Sequence, residues 1–161
     1  MNTVSPPPSA RFTRQPPRRT KSKIVVLGVL WVTLAILALW SCGKGAYHNY
    51  RLASAAVDRF HGQLNDGDFE TIFANATDEF RRTGTREAQL SFFETVHQKM
   101  GASGRMSIKG LHINWRNGIL TVDQVFETQF TFGPAQEGFV WVIDHEQPRL
   151  QTYRIDSPNL R

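Results

Sequence analysis

The chain has one cysteine, Cys42, among its 161 residues. A single thiol excludes an intramolecular disulfide, so the fold must depend on its apolar core even in an oxidising compartment. It also removes cysteine-based zinc sites, and the five histidines are scattered without a pair four residues apart. The sequence therefore predicts no metal and no cofactor. The histidines are His48, His61, His97, His112 and His145.

Acidic residues are missing from the first 43 positions, which hold six basic residues. The remaining 118 positions hold 13 basic and 14 acidic side chains, so the net charge of +5 comes from the N-terminal segment. A basic protein can bind nucleic acid, but here the part long enough to fold is nearly neutral. The charge distribution predicts no nucleic-acid partner and is typical of a basic flank beside a membrane segment.

Prolines are concentrated at the N-terminus, where "SPPPSARFTRQPPRR" cannot bury apolar surface. We predict that residues 1–23 form a disordered cytoplasmic tail. Residues 24–43 follow as 20 positions without a charge. As a helix they would extend about 30 Å, the thickness of a bilayer core. We predict a transmembrane signal anchor at 24–43, with Gly43 and Gly45 loosening the chain after it, and an extracytoplasmic domain at 44–161.

Three readings of the membrane segment remain open at Cys42. "LWSC" resembles a bacterial lipobox at Leu39, Ser41 and Cys42, although Trp40 stands where a small residue is usual. Lipid attachment at Cys42 is one alternative, and simple signal cleavage is another. The apolar run is longer than the 7–15 residues of a signal peptide, which favours an uncleaved anchor. All three alternatives place residues 44–161 on the outer side of a bacterial inner membrane, in the periplasm or its equivalent.

The remaining sequence changes from helical to strand periodicity. An apolar seam at spacings of three and four predicts a helix that ends at Gly67. Asp68 and Thr85 are suited to begin further helices, and Thr77 is suited to begin a further turn. Gly101 is suited to end the last one. Strands follow at "LHINW", "VDQVFETQFTF", "GFVWVI" and "LQTYRI", the first two joined by the turn "RNG". This order predicts an α+β fold, with three N-terminal helical segments on a four-stranded antiparallel sheet.

Several segments carry a resemblance to a known family. They are "AVDRFHGQLNDGDFETIFANATDEFR", "TREAQLSFFETVHQKMG", "TVDQVFETQFTFGPAQEGFVWVI" and "LQTYRIDSPNL", including Gly67-Asp68-Phe69, Glu127-Thr128-Gln129-Phe130, Glu137 and Tyr153-Arg154-Ile155. The chain resembles, over about residues 50–160, a bacterial family of small envelope proteins of unknown function, often lipoproteins. The resemblance implies the cone-shaped fold of the nuclear transport factor 2-like (cystatin-like) superfamily. It implies no catalytic residues.

Some relatives with that fold are enzymes of the ketosteroid-isomerase type, which need a carboxylate base inside the pocket. The alternation in the second strand turns Val122, Phe126 and Phe130 inward, so Asp123 and Glu127 face outward. The sequence therefore predicts no catalytic residue. Aromatic side chains on the inner face could instead line a pocket for a small hydrophobic molecule. The candidates are Phe73, Phe93, His97, Phe126, Phe130, Trp141 and Tyr153.

These patterns predict a non-enzymatic, membrane-anchored binding or interaction module of the bacterial cell envelope. "GFVWVI" is apolar on both sides, so its outer sheet face could contact a second copy of the chain or an envelope protein. One alternative is an inner-membrane assembly component of a secretion or transport apparatus, which shares the order of tail, span and domain. The other is a binder of small hydrophobic ligands or a ketosteroid-isomerase-like enzyme.

Overall fold

The computed structural model describes the backbone of residues 21–161 and the side chains of Trp31, Val32 and residues 45–161. The chain divides into two compact units, with the boundary between Trp40 and Ser41. Residues 1–20 of the predicted tail lie outside the described part, as does the Cys42 side chain. Within the described side chains, no helix is both long enough and apolar enough to cross a membrane. The side chains of the predicted span 24–43, apart from Trp31 and Val32, are not among them.

Helix α1 comprises Lys21–Asp66. It begins within the predicted tail and passes through Gly43 and Gly45 without a break, so the predicted loosening at these glycines was wrong. An interior glycine costs about 1 kcal/mol relative to alanine, which a helix hydrogen-bonded on both sides of it tolerates. The predicted end is confirmed, because Gly67 has a φ of 74° and lies immediately after the helix.

Three shorter helices follow, each begun by a predicted cap. They are α2 (Phe69–Asn75), α3 (Asp78–Arg82) and α4 (Arg86–Met100). The side chains of Asp68, Thr77 and Thr85 accept hydrogen bonds from backbone N–H groups three residues later, at 3.2, 3.1 and 3.2 Å. These bonds satisfy donors that have no partner within the helix.

The four strands form one antiparallel sheet in the order β1-β2-β3-β4. They are β1 (Ser103–Arg116), β2 (Ile119–Phe130), β3 (Gly133–Asp144) and β4 (Gln147–Asp156), followed by a short 3-10 helix at Pro158–Leu160. The α+β prediction is confirmed: helices pack on a four-stranded antiparallel sheet. Strand β1 begins eight residues before the predicted "LHINW", because the glycine-containing "SGRMSIKG" also pairs with β2, with irregular register near Gly104 and Gly110.

The turns combine predicted and unpredicted conformations. Asn117 and Gly118 have φ values of 52° and 78°, as the predicted "RNG" hairpin requires. The β2–β3 turn lies at Thr131 and Phe132, so the predicted strand "VDQVFETQFTF" ends two residues early, at Phe130. The β3–β4 turn places His145 and Glu146 at positive φ, 46° and 62°, a conformation that is uncommon for residues other than glycine.

One face of the sheet packs against the helices to form the core. Val122, Gln124, Phe126, Thr128 and Phe130 of β2 are buried, which confirms the predicted inner face. Asp123 and Glu127 lie on the opposite face, half-buried and exposed respectively. The helices contribute further buried apolar side chains, including Ala53, Val57, Phe60 and Leu64 from α1 and Phe93, Val96 and Met100 from α4.

Candidate functional site

Three polar side chains form a buried network within the core. Glu137 of β3 is fully buried, and His61 of α1 and Tyr153 of β4 are nearly so. The His61 Nε2 atom lies 2.9 Å from Glu137 Oε2, and the Tyr153 hydroxyl lies 2.7 Å from Glu137 Oε1. Because a carboxylate accepts, the imidazole and the phenol are the donors. Each Glu137 oxygen therefore has a partner, as burial of a carboxylate requires.

Aromatic rings surround this network. The Tyr153 ring centroid lies 4.6 Å from that of Phe60 and 5.1 Å from that of Phe139, and the His61 ring is edge-on to Phe139 at 5.8 Å. Burial, the charge of Glu137 and the hydrogen bond to it together raise the pKa of Tyr153 well above its ordinary value. The phenol is therefore a hydrogen-bond donor throughout the neutral range.

The sequence patterns do not predict this network. Glu137 lies in a segment that carries the family resemblance, and His61 is one of five scattered histidines. A signal was present in β3, where Ala135, Glu137, Phe139 and Trp141 share the buried face. An acidic residue in that alternation predicts a buried carboxylate that needs donors. No local pattern indicates which residues supply those donors.

The predicted pocket residues have different locations. Phe93, Phe126, Phe130 and Tyr153 are buried in the core, and the partly buried Phe73 packs against it. His97 is half-buried, with its ring centroid 6.0 Å from that of Phe69. Trp141 stacks on Phe139 at 5.9 Å and also lines a cleft between α1, α2 and β4. Most of the predicted pocket residues therefore pack in the core, and Trp141 also lines a cleft.

Several inner polar atoms lack a protein partner. Gln124 Nε2 donates to Ser54 Oγ at 3.1 Å, but its Oε1 atom and the Thr128 hydroxyl are buried without a partner in the described part of the chain. The same holds for His61 Nδ1 and Trp141 Nε1. Over the same residues, no three His, Cys, Asp or Glu side chains converge as metal ligands.

Strand β1 carries the most exposed apolar surface of the sheet. The cross-strand partners of Ile108, Leu111 and Trp115 are Phe126, Gln124 and Leu120, so all three belong to the inner face. Their exposed fractions are nevertheless 41, 47 and 70%. Because β1 is an edge strand, one side of its backbone is also free of sheet hydrogen bonds.

Comparison with known proteins leaves the family open: no family model matches the chain, and no curated protein matches it.

Proposed function

We propose that this chain is a non-enzymatic, membrane-anchored binding module of the bacterial cell envelope, and that it binds a protein partner along strand β1. The proposal keeps the expected topology: a cytoplasmic tail at 1–23, a single span at 24–43, and a domain at 44–161 outside the cytoplasm. It also assigns that domain to the cone-shaped nuclear transport factor 2-like fold. The packing of the helices on one face of a four-stranded meander supports this assignment.

The binding proposal rests on the exposed edge and the exposed apolar side chains of β1. The strand is 14 residues long, it has a neighbour on one side only, and three of its inner-face apolar side chains are exposed. An edge strand with free backbone N–H and C=O groups readily pairs with another chain. An added strand would satisfy the free backbone groups, and its side chains would cover Ile108, Leu111 and Trp115.

This surface differs from the outer sheet face expected from "GFVWVI". Val140 and Val142 are half-buried, and their cross-strand neighbours include Asp123, Thr121 and Thr152. Lys109 and Glu127 form an ion pair at 2.6 Å elsewhere on the sheet. The partner surface is therefore better placed at β1, where apolar exposure and free backbone groups coincide.

The buried network supports a structural rather than a catalytic role for Glu137. A general base needs an oxygen that substrate can approach. Both Glu137 oxygens already accept hydrogen bonds, and the side chain has no exposed surface. These features favour a binding module over the ketosteroid-isomerase-like alternative.

The test is photocrosslinking of the full-length chain in cells, with p-benzoylphenylalanine at Trp115. We expect a discrete covalent product after irradiation, and we expect the additional substitution Leu111→Lys to abolish it by placing a charge in the contact. The matched control is the same photoprobe at Phe132, which is 60% exposed but lies in the β2–β3 turn.

The products distinguish the forms of the proposal. A product of twice the chain mass indicates a second copy, and a product of any other mass indicates a different envelope protein. Several partners that co-purify as one complex would support the secretion or transport alternative. Absence of a product at Trp115, or equal products at Phe132, would contradict binding along β1.

A further inference from the structure

A cleft opens between the helices and the sheet, away from strand β1. Helix α1, helix α2, β3 and the start of β4 form its walls, and its volume is about 350 Å³. That volume is within the range of small-molecule sites. At about 30 Å³ for each water-sized group, it holds roughly a dozen non-hydrogen atoms.

The inner wall of the cleft is apolar. It is formed by Phe60 of α1, Ile72 of α2, Trp141 of β3 and Leu150 of β4. All four side chains are buried. A ligand that enters this cleft must therefore bring an apolar body, because a fully hydrated ion would gain nothing from this wall.

The charged residues that line the cleft are all positive. Arg59 and Arg149 are its only charged residues; its other polar residues are Gln63, Asn75 and Gln147. Among the described residues neither arginine forms a salt bridge, and Arg149 donates one hydrogen bond, of 3.1 Å, to the Ala76 carbonyl. Two guanidinium groups without carboxylate partners beside an apolar wall are complementary to an anion.

A second observation concerns Trp141. This residue is 96% buried, since its exposed fraction is 4%. Its indole N–H is buried without an acceptor in the described part of the chain, although such donors are normally paired.

We propose that this cleft binds a small amphipathic carboxylate, with its apolar body against Phe60, Ile72, Trp141 and Leu150 and its carboxylate held by Arg59 and Arg149. The site is separate from β1, so the proposal stands or falls independently of partner binding there. A carboxylate fits because it accepts paired hydrogen bonds from guanidinium, and the cleft admits only a small body.

The experiment is equilibrium dialysis of the full-length protein in lipid nanodiscs, with empty nanodiscs as the blank. The probes are 2-naphthoate and octanoate, and 2-naphthamide is the uncharged counterpart of the first. We expect saturable binding of both carboxylates and at least about tenfold weaker binding of the amide, since one charged hydrogen bond corresponds to about that factor.

Substitutions of the two arginines test whether they bind the carboxylate. Arg59→Gln is expected to weaken naphthoate binding about tenfold and to leave naphthamide binding unchanged; Arg149→Gln should act in the same direction. Arg59 is exposed and has no hydrogen bond to another side chain in the described residues, so its loss should not affect folding. The control is Arg51→Gln, an exposed arginine of α1 outside the cleft.

Two results would overturn the proposal. One is the absence of saturable binding of either carboxylate above the nanodisc blank. The other is equal binding of naphthoate and naphthamide with no effect of Arg59→Gln, which would make the cleft a site for neutral apolar molecules.

Discussion

Tyr153 and Glu137 form a diagonal pair across strands β3 and β4, with the phenol hydroxyl 2.7 Å from Oε1 of the carboxylate. His61 of α1 donates to the other carboxylate oxygen at 2.9 Å, so the network joins the first helix to the last two strands. A buried carboxylate with two hydrogen-bond donors tolerates little change in its position. If α1 shifted relative to the sheet, the negative charge of Glu137 would lose a donor. The network therefore helps to fix the packing of α1 on the sheet.

Glu137→Gln should destabilise the domain by about 1–3 kcal/mol. The substituted amide keeps the shape of the side chain, but its NH₂ group would face the His61 donor or the Tyr153 donor. The measurement is thermal unfolding of the full-length protein in mild detergent, monitored by near-ultraviolet circular dichroism. We expect the midpoint to fall by roughly 4–12 °C.

Glu127→Gln is the matched control for that substitution. Glu127 lies on the neighbouring strand, is exposed, and pairs with Lys109 at 2.6 Å. Loss of an exposed ion pair should cost less than about 1 kcal/mol. Equal effects of the two glutamine variants would contradict a special role for the buried carboxylate.

Tyr153 should make stability depend on alkaline pH. Its pKa is raised in the folded protein by burial and by Glu137, so the folded state keeps a proton that the unfolded chain releases at about pH 10. Below that pH the contribution is fully present; above it, the free energy of unfolding should fall by up to about 1.4 kcal/mol per pH unit. The fall continues until the pH reaches the folded pKa.

The check is unfolding at a series of pH values for the wild type and for Tyr153→Phe. The variant should be less stable at neutral pH by about 1–3 kcal/mol, because one oxygen of Glu137 loses its donor. Its stability should then fall less steeply above pH 10. Parallel pH profiles for the two proteins would show that Tyr153 does not titrate differently in the folded state.

Gly101 should be the least replaceable glycine of the domain. It has a φ of 73°, and a Cβ atom there would lie 2.7 Å from Thr131 Cβ. Thr131 and Phe132 bond to the carbonyls of Ala102 and Met100, both at 3.0 Å, so the turn cannot easily move away. The ψ of Gly101 is −161°, so the backbone lies in a region that is essentially confined to glycine. Gly101→Ala therefore combines backbone strain of about 1–3 kcal/mol with this clash.

Gly62→Ala provides the opposite case. Gly62 lies inside α1, and nothing lies within 4 Å of the position its Cβ would take. This substitution should stabilise the protein by about 0.5–1 kcal/mol, because alanine loses less backbone freedom in a helix. Thermal midpoints that shift in opposite directions would confirm both assignments, and a stable Gly101→Ala variant would contradict the first.

Local rules predicted much of the fold. Asp68, Thr77, Thr85 and Gly101 act through bonds within a few residues of themselves, so the sequence around each position was sufficient. The alternation of β2 likewise identified its inner face. Both kinds of signal depend on neighbours in the chain rather than on the tertiary structure.

Long-range features were missed for the same reason. His61 and Glu137 are 76 positions apart, and no local pattern pairs them. Arg59 and Arg149 line one cleft only because β4 returns beside α1. The early start of β1 depends on pairing with β2, which overrides the weak strand preference of its glycines.

The state of Cys42 should be visible in the mass of the intact chain. We expect an uncleaved anchor, because the charge-free run of 20 residues is longer than a signal peptide core. The measurement is native mass spectrometry of full-length protein extracted from its own membranes in mild detergent. A mass near 18.3 kDa per chain would agree with the uncleaved anchor and keep the basic tail as part of the protein. A mass matching residues 42–161 plus acyl chains would instead make Cys42 the lipid-attached first residue, and residues 1–41 would act only as a leader.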